Sequence, residues 1–162
     1  MSTIRNSFNW DEIMDEAIHA GVDSFLAKPL FASNVIEEFE RIAHKNSMSL
    51  YKVKSRTELN GRRILIAEDV IINAEIMEQI IMVRGAEIDH AENGKAALEM
   101  FSKSEPGYYD AVLMDVRMPE MDGLAATEAI RALDRPDAKK VPIIAMTANV
   151  LMRMSRDLCR LE

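Results

Sequence analysis

Three observations predict an α/β fold, doubly wound around a parallel sheet. Apolar runs of strand length recur at RILIA (63–67), AVLM (111–114) and VPIIAM (141–146). Segments with helical spacing of apolar residues separate these runs. Continuous apolar runs of this kind suit strands covered on both faces, and strands alternating with helices imply a parallel sheet. The third observation is chemical: Glu68, Asp69, Asp115 and Thr147 directly follow the runs. In such sheets ligand chemistry sits at the carboxyl ends of the strands.

Taken in order, residues 10–20 (WDEIMDEAIHA) put Ile13, Ala17 and Ala20 on one helical face, with Gly21 as the stop. A short strand, VDSFLA, follows and ends at Lys28-Pro29. Ser33 or Asn34 can then cap a second helix carrying Val35, Ile36, Phe39 and Ile42. From about Arg41 to Arg63 the pattern lapses, with Lys45, Lys52, Lys54, Arg56, Arg62 and Arg63 against only Glu58, which suits a solvated basic linker. After RILIA come a helix over 73–83, a short strand over 87–90, a helix over 94–101 and the strand AVLM. Gly123 opens a helix to about Leu133, and Pro136-Asp137 marks a loop before VPIIAM.

The chain has 162 residues, 48% of them hydrophobic, enough for one core or one core plus part of a second. A net charge of −7 opposes binding to nucleic acid or to anionic membrane, and no apolar run approaches a membrane span. With one cysteine, Cys159, an internal disulfide is impossible, and the chain is expected in the cytoplasm. The twelve methionines, among them Met77, Met100 and Met114, read as core filling.

Three carboxylates, Glu68, Asp69 and Asp115, should converge at one rim of the sheet. Such crowding favours a hard cation, and Mg²⁺ is usually held by one or two carboxylates with water and phosphate oxygens. Taken singly, each residue has a plainer reading. Glu68 could cap the following helix against its dipole, Thr147 could be an ordinary strand-end hydroxyl, and Lys28 a surface lysine. Together they describe a carboxylate nucleophile, a cation site, a second cation and a hydroxyl, the parts needed to accept a phosphoryl group.

RRILIAEDVIINAEI, YYDAVLMDVRMPEMDGLAATEAIR and VPIIAMTAN resemble the first strand, phosphorylation loop and fourth strand of response-regulator receiver domains. The resemblance implies a flavodoxin-like five-stranded sheet of order 2-1-3-4-5. It implies Asp115 as phosphoacceptor, Glu68 and Asp69 as the acidic Mg²⁺ pair, the Arg117 backbone carbonyl as a further ligand, and Thr147 as the switch hydroxyl. Residues 21–30, GVDSFLAKPL, resemble the family's fifth strand, with Lys28 as the phosphate-sensing lysine, Phe25 as the switch aromatic, and a Lys28-Pro29 bond that proline allows to be cis. The implied function is a phosphorelay module without kinase activity of its own, whose partner is a sensor histidine kinase or its phosphotransfer domain.

One feature departs from the family: the Lys-Pro segment precedes the unit it should follow. Residues 1–47 look like the end of one receiver, 48–60 like a linker, and 61–150 like the first four βα units of another, as in a hybrid histidine kinase with tandem receivers. The N-terminal piece is therefore expected to supply the fifth strand, within the chain as in a circular permutation or between two chains as a swapped homodimer. Residues 151–162, LMRMSRDLCRLE, lack the fourth-helix character and AG turn of the family, as a one-nucleotide frameshift would produce. The competing function is an incomplete receiver that docks a partner without being phosphorylated. A phosphatase of the haloacid dehalogenase type would want DxD, but position 117 is Arg; a flavodoxin would want a Gly or Ser/Thr phosphate loop where EDVIIN stands. His19, His44 and His90 stand alone, without the helical motif of a phosphotransfer histidine.

Overall fold

The computed structural model describes residues 10–28, 34, 35, 37, 38, 41 and 59–147. Expectations for the Lys28-Pro29 bond, most of the linker and the 151–162 tail lie outside these residues. In chain order the elements are α1 (Trp10–Ala20), β1 (Ser24–Ala27), β2 (Arg63–Ala67), α2 (Ile71–Met82), β3 (Glu87–Ala91), α3 (Gly94–Lys103), β4 (Ala111–Asp115), α4 (Gly123–Ala132) and β5 (Ile143–Thr147).

All strand pairings are parallel, and the spatial order is β3-β2-β4-β5-β1. This is the expected five-stranded order, with β1, first in the chain, occupying the edge that the last strand would normally fill. Closure is within the chain: Ser24 to Ala27 pair with Ile144 to Thr147.

Alternation along the strands sorts their side chains to two faces. Ile64, Ile66, Leu113, Ile144 and Met146 pack with Met77 and Ile81 of α2 on one face. Leu65, Val112, Met114 and Ile143 pack with Ala97 and Phe101 of α3 and with Ala126 and Ile130 of α4 on the other. A smaller cluster joins Ala17 of α1 to Val22, Val116 and Ala145, with Phe25 and Leu124 against it. The fully buried patterns of β4 and β5 follow from this double covering.

The N-terminal segment is fastened by local and long-range bonds. At the end of α1 the Val22 N–H donates to Ala17 O at 3.0 Å and the Gly21 N–H to Ile18 O at 3.1 Å, with Gly21 at φ +95°. This is a Schellman ending, and it needs a residue at ease with positive φ. Arg131 of α4 then clamps the turn. Its guanidinium donates to Gly21 O at 3.0 Å and Asp23 Oδ2 at 2.8 Å, and to Ala138 O and Val141 O at 2.7 and 2.8 Å.

Several boundaries differ from the sequence expectation, each for a hydrogen-bonding reason. Helix α2 starts at Ile71 rather than Asn73, because Val70 takes the cap position and donates its N–H to Glu68 Oε1 at 3.3 Å. Strand β5 starts at Ile143 rather than Val141, since Pro142 has no N–H for the ladder. Asp115 and Thr147 are the last residues of their strands rather than the first after them. Asp115 pairs with Met146, and Thr147 pairs with Ala27.

Candidate functional site

β2, β4 and β5 end side by side, which brings Glu68, Asp115 and Thr147 to one rim. Asp69 follows Glu68 into the β2–α2 turn. One carboxylate oxygen from each of Glu68, Asp69 and Asp115 lies within 4.8 Å of the other two. Glu68 is fully buried and Asp115 is 7% exposed, whereas Asp69 faces solvent. Three acids this close repel one another, and all their oxygens are acceptors, so the donor set suits a hard divalent cation.

Lys28 arrives from the end of β1, whose ladder continues through the Lys28 N–H to Thr147 O at 2.7 Å. Its ammonium lies 2.5 Å from Glu68 Oε2 and 2.6 Å from Asp115 Oδ2, bridging the two. Burial is the largest influence on Lys28 and works to lower its pKa, but the Asp115 and Glu68 carboxylates together outweigh it, so the group titrates above the ordinary lysine value. Asp115 is pushed up from its usual value chiefly by burial, with Glu68 adding to the effect and Lys28 and the Arg117 N–H opposing it. The ion pair is therefore a charge-neutralising contact inside a poorly solvated rim.

The remaining expected residues are also placed. The Arg117 N–H donates to Asp115 Oδ1 at 3.3 Å. Thr147 is buried at the end of β5, 4% exposed. Phe25 lies on β1 beside Ala145, half-buried against the cluster that includes Ala17 and Val116. Residues of the loop after β4, Val116 to Met118 and Asp122, join Asp69, Ile13 and Glu16 around a cleft of about 470 Å³.

Sequence reasoning missed three supports. Asn73 Nδ2 donates to Glu68 Oε1 at 3.0 Å, and the His90 Nε2 lies 2.8 Å from Glu68 O. Gly123 sits behind Asp115, where a Cβ would fall 2.0 Å from Asp115 O and 2.9 Å from Asp115 C. Only a residue without a side chain lets α4 start that close to β4. The Asp122-Gly123 pair carried a signal, since Asp122 caps α4 by accepting from the Ala125 N–H at 2.8 Å. Asn73 offered only its place in the first turn of the helix after the acids.

Comparison with known proteins bears on this rim. A family model described as "Response regulator receiver domain" matches residues 64–161. The chain is 36% identical over 99 residues to Hybrid signal transduction histidine kinase I of Dictyostelium discoideum, covering 60% of this chain and 6% of that protein. It is 35% identical over 132 residues to the Aerobic respiration control sensor protein ArcB of Escherichia coli (strain K12), covering 81% of this chain and 15% of that protein. The chain thus spans only a small part of the curated relatives it matches. Among solved structures, the receiver domain of sensor histidine kinase PA1611 from Pseudomonas aeruginosa PAO1 matches with a TM-score of 0.51 and 33% identity, over 63% of this chain and 80% of that one. That structure has a magnesium ion coordinated in its active site cleft. No helix among the described residues is long and apolar enough to cross a membrane.

Proposed function

Because the chain belongs to the response regulator receiver family, we propose that it is the phosphoacceptor of a cytoplasmic two-component phosphorelay, receiving a phosphoryl group on Asp115 from a sensor histidine kinase or its phosphotransfer domain. An Asp115 carboxylate oxygen attacks phosphorus as the bond from phosphorus to the donor histidine nitrogen breaks. The nitrogen keeps the electron pair and, with a proton carried on its other ring nitrogen, the donor leaves as neutral imidazole, with an acyl phosphate on Asp115. Such transfer depends mainly on positioning and on spreading charge over the equatorial oxygens.

Mg²⁺, held by Glu68, Asp69, Asp115 and the Arg117 carbonyl, would supply that charge stabilisation when bound. Lys28 is poised to exchange its carboxylate contacts for a phosphoryl oxygen. Thr147, at the same rim, can turn its hydroxyl toward the new group, and Phe25 on the adjoining strand can repack in response. For the donor, α2 and its cap residue offer an apolar face beside the site: Val70, Ile71, Ile72 and Ile76 are exposed, Ile71 by 70%. A helical phosphotransfer partner with its own apolar stripe fits such a face.

The observation that carries the reading is the Lys28 to Asp115 contact of 2.6 Å. It joins residues 87 apart in sequence and unites the two halves of the pattern in one site. The test is intact mass after incubation with acetyl phosphate and Mg²⁺. A gain of one phosphoryl group is expected in the native chain and its loss in Asp115→Asn. No gain in a folded native chain would leave the docking function without phosphorylation as the better account, and a gain that survives Asp115→Asn would refute the acceptor assignment.

A further inference from the structure

Glu68 is the most completely held carboxylate of the rim. Its backbone N–H donates to Ala91 O at 3.1 Å, and its carbonyl oxygen lies 2.8 Å from the His90 Nε2, so β3 fixes the main chain. The side chain is fixed separately. Oε2 takes the Lys28 ammonium at 2.5 Å, while Oε1 accepts from the Asn73 amide at 3.0 Å and from the Val70 N–H at 3.3 Å. A carboxylate only accepts hydrogen bonds, so the Asn73 NH₂ must be the group that faces it. Asn73 sits in the first turn of α2, a helix whose cap residue Val70 makes no side-chain cap bond. The Asn73 amide is therefore used on Glu68 rather than on the helix end.

We propose that Asn73 is a positioning residue that sets the Mg²⁺ affinity of this site by locking the orientation of the Glu68 carboxylate. The inference rests on the Mg²⁺ reading given above. Without the Asn73 amide, Oε1 keeps only the longer Val70 bond, and with a terminal torsion that is broad and roughly two-fold the carboxylate is oriented mainly by Lys28, the contact an entering cation would displace. With Asn73 in place, Oε1 is committed to the helix and Oε2 is aimed at the rim, where Lys28 and the other acids lie. A cation entering the rim then meets a preset oxygen instead of ordering one on arrival. Outer partners that orient a metal ligand typically contribute about ten- to a hundred-fold in affinity.

The test uses the full chain and MgCl₂ titrated by calorimetry. Asn73→Leu keeps the shape of the side chain and removes the donor, and Asn73→Ala, favourable in a helix, serves as the second variant if leucine disturbs folding. Either is expected to raise the Mg²⁺ Kd about ten-fold or more. Each should also raise, by a similar factor, the Mg²⁺ concentration giving half-maximal phosphorylation by acetyl phosphate, with the rate at saturating Mg²⁺ unchanged. A purely packing role predicts native affinity for Asn73→Leu, and that result overturns the inference. So does a fall in the saturated rate at unaltered Kd, which would put Asn73 in the transfer step. A folded native chain that takes up no Mg²⁺ removes the metal reading itself, and this inference with it.

Discussion

Replacing Lys28 by methionine keeps the aliphatic stem and deletes the ammonium. In the native fold that ammonium lies between a Glu68 that is fully buried and an Asp115 that is 7% exposed. Its loss leaves like charges within 4.8 Å of one another without the ammonium that bridges Glu68 and Asp115. Removing one partner of a buried ion pair typically costs 3–5 kcal/mol, and with 17% of the Lys28 side chain accessible we expect about 2–4 kcal/mol in Mg²⁺-free buffer. Asp115→Asn, made in the Lys28→Met background, should restore part of this by removing one of the repelling charges. The two substitutions are then non-additive by roughly 1–3 kcal/mol. Mg²⁺ should also rescue Lys28→Met, by about 2.7 kcal/mol at a hundred-fold excess over its Kd. The Lys28 pKa is raised in the folded chain, burial being the largest influence but outweighed by the two carboxylates, so its contribution is fully present below the unfolded-state value and lost as pH rises through the folded one. The Lys28→Met deficit should thus be level through neutral pH, shrink in strong alkali as the native ammonium deprotonates, and shrink in acid as the carboxylates it faces take up protons. Urea unfolding of the native chain, the two single variants and the double variant, with and without Mg²⁺, reads all of this. Additive effects within about 0.5 kcal/mol would refute the claim that Lys28 reaches Asp115 from the far end of the chain.

Gly123→Ala should push β4 away from α4, because the new Cβ would lie 2.0 Å from Asp115 O. The expected cost is about 1–3 kcal/mol by urea unfolding. Under the proposed function, displacing Asp115 should also slow phosphorylation by acetyl phosphate by up to about a hundred-fold; unchanged stability and rate would show that α4 adjusts freely. Asp137 is held at a pKa of about 2, mainly by its hydrogen bond from Arg135, with burial opposing and the Gly107 N–H assisting. A depressed carboxyl stabilises the fold above its unfolded pKa and loses that contribution as pH falls through the folded one. Asp137→Asn should therefore be less stable than native near neutrality and converge with it toward pH 2 in circular dichroism melts, while a constant gap would count against the ion pair as the cause.

The local pattern of the sequence was enough to find the four strands after the linker and the acids at their ends. RILIA, AVLM and VPIIAM are short, apolar and bounded by polar residues, and a strand buried on both faces asks for little else. Asp115, Glu68, Asp69 and Thr147 were legible for the same reason, since their place at strand ends is a matter of adjacent residues. The limits of the elements were less legible. Whether Asp115 and Thr147 belong to the ladder depends on their neighbours Met146 and Ala27, and whether α2 starts at Ile71 depends on a carboxylate accepting from Val70.

By itself, then, the sequence determined the α/β class, the strands and which acids meet at the rim, and it raised closure by the N-terminal segment in two arrangements, within the chain or between two chains. Tertiary structure decided that β1 pairs with β5 of its own chain, that Arg131 clamps the incoming turn, and that Lys28 bridges Glu68 and Asp115. It also revealed Asn73 behind Glu68 and the tight approach of Gly123 to Asp115. The reason is that periodicity encodes which face of an element is buried, a property of residues a few positions apart. Which edge receives a strand, and which carboxylate meets a lysine 87 residues away, is settled only when backbone donors and buried charges find partners in space.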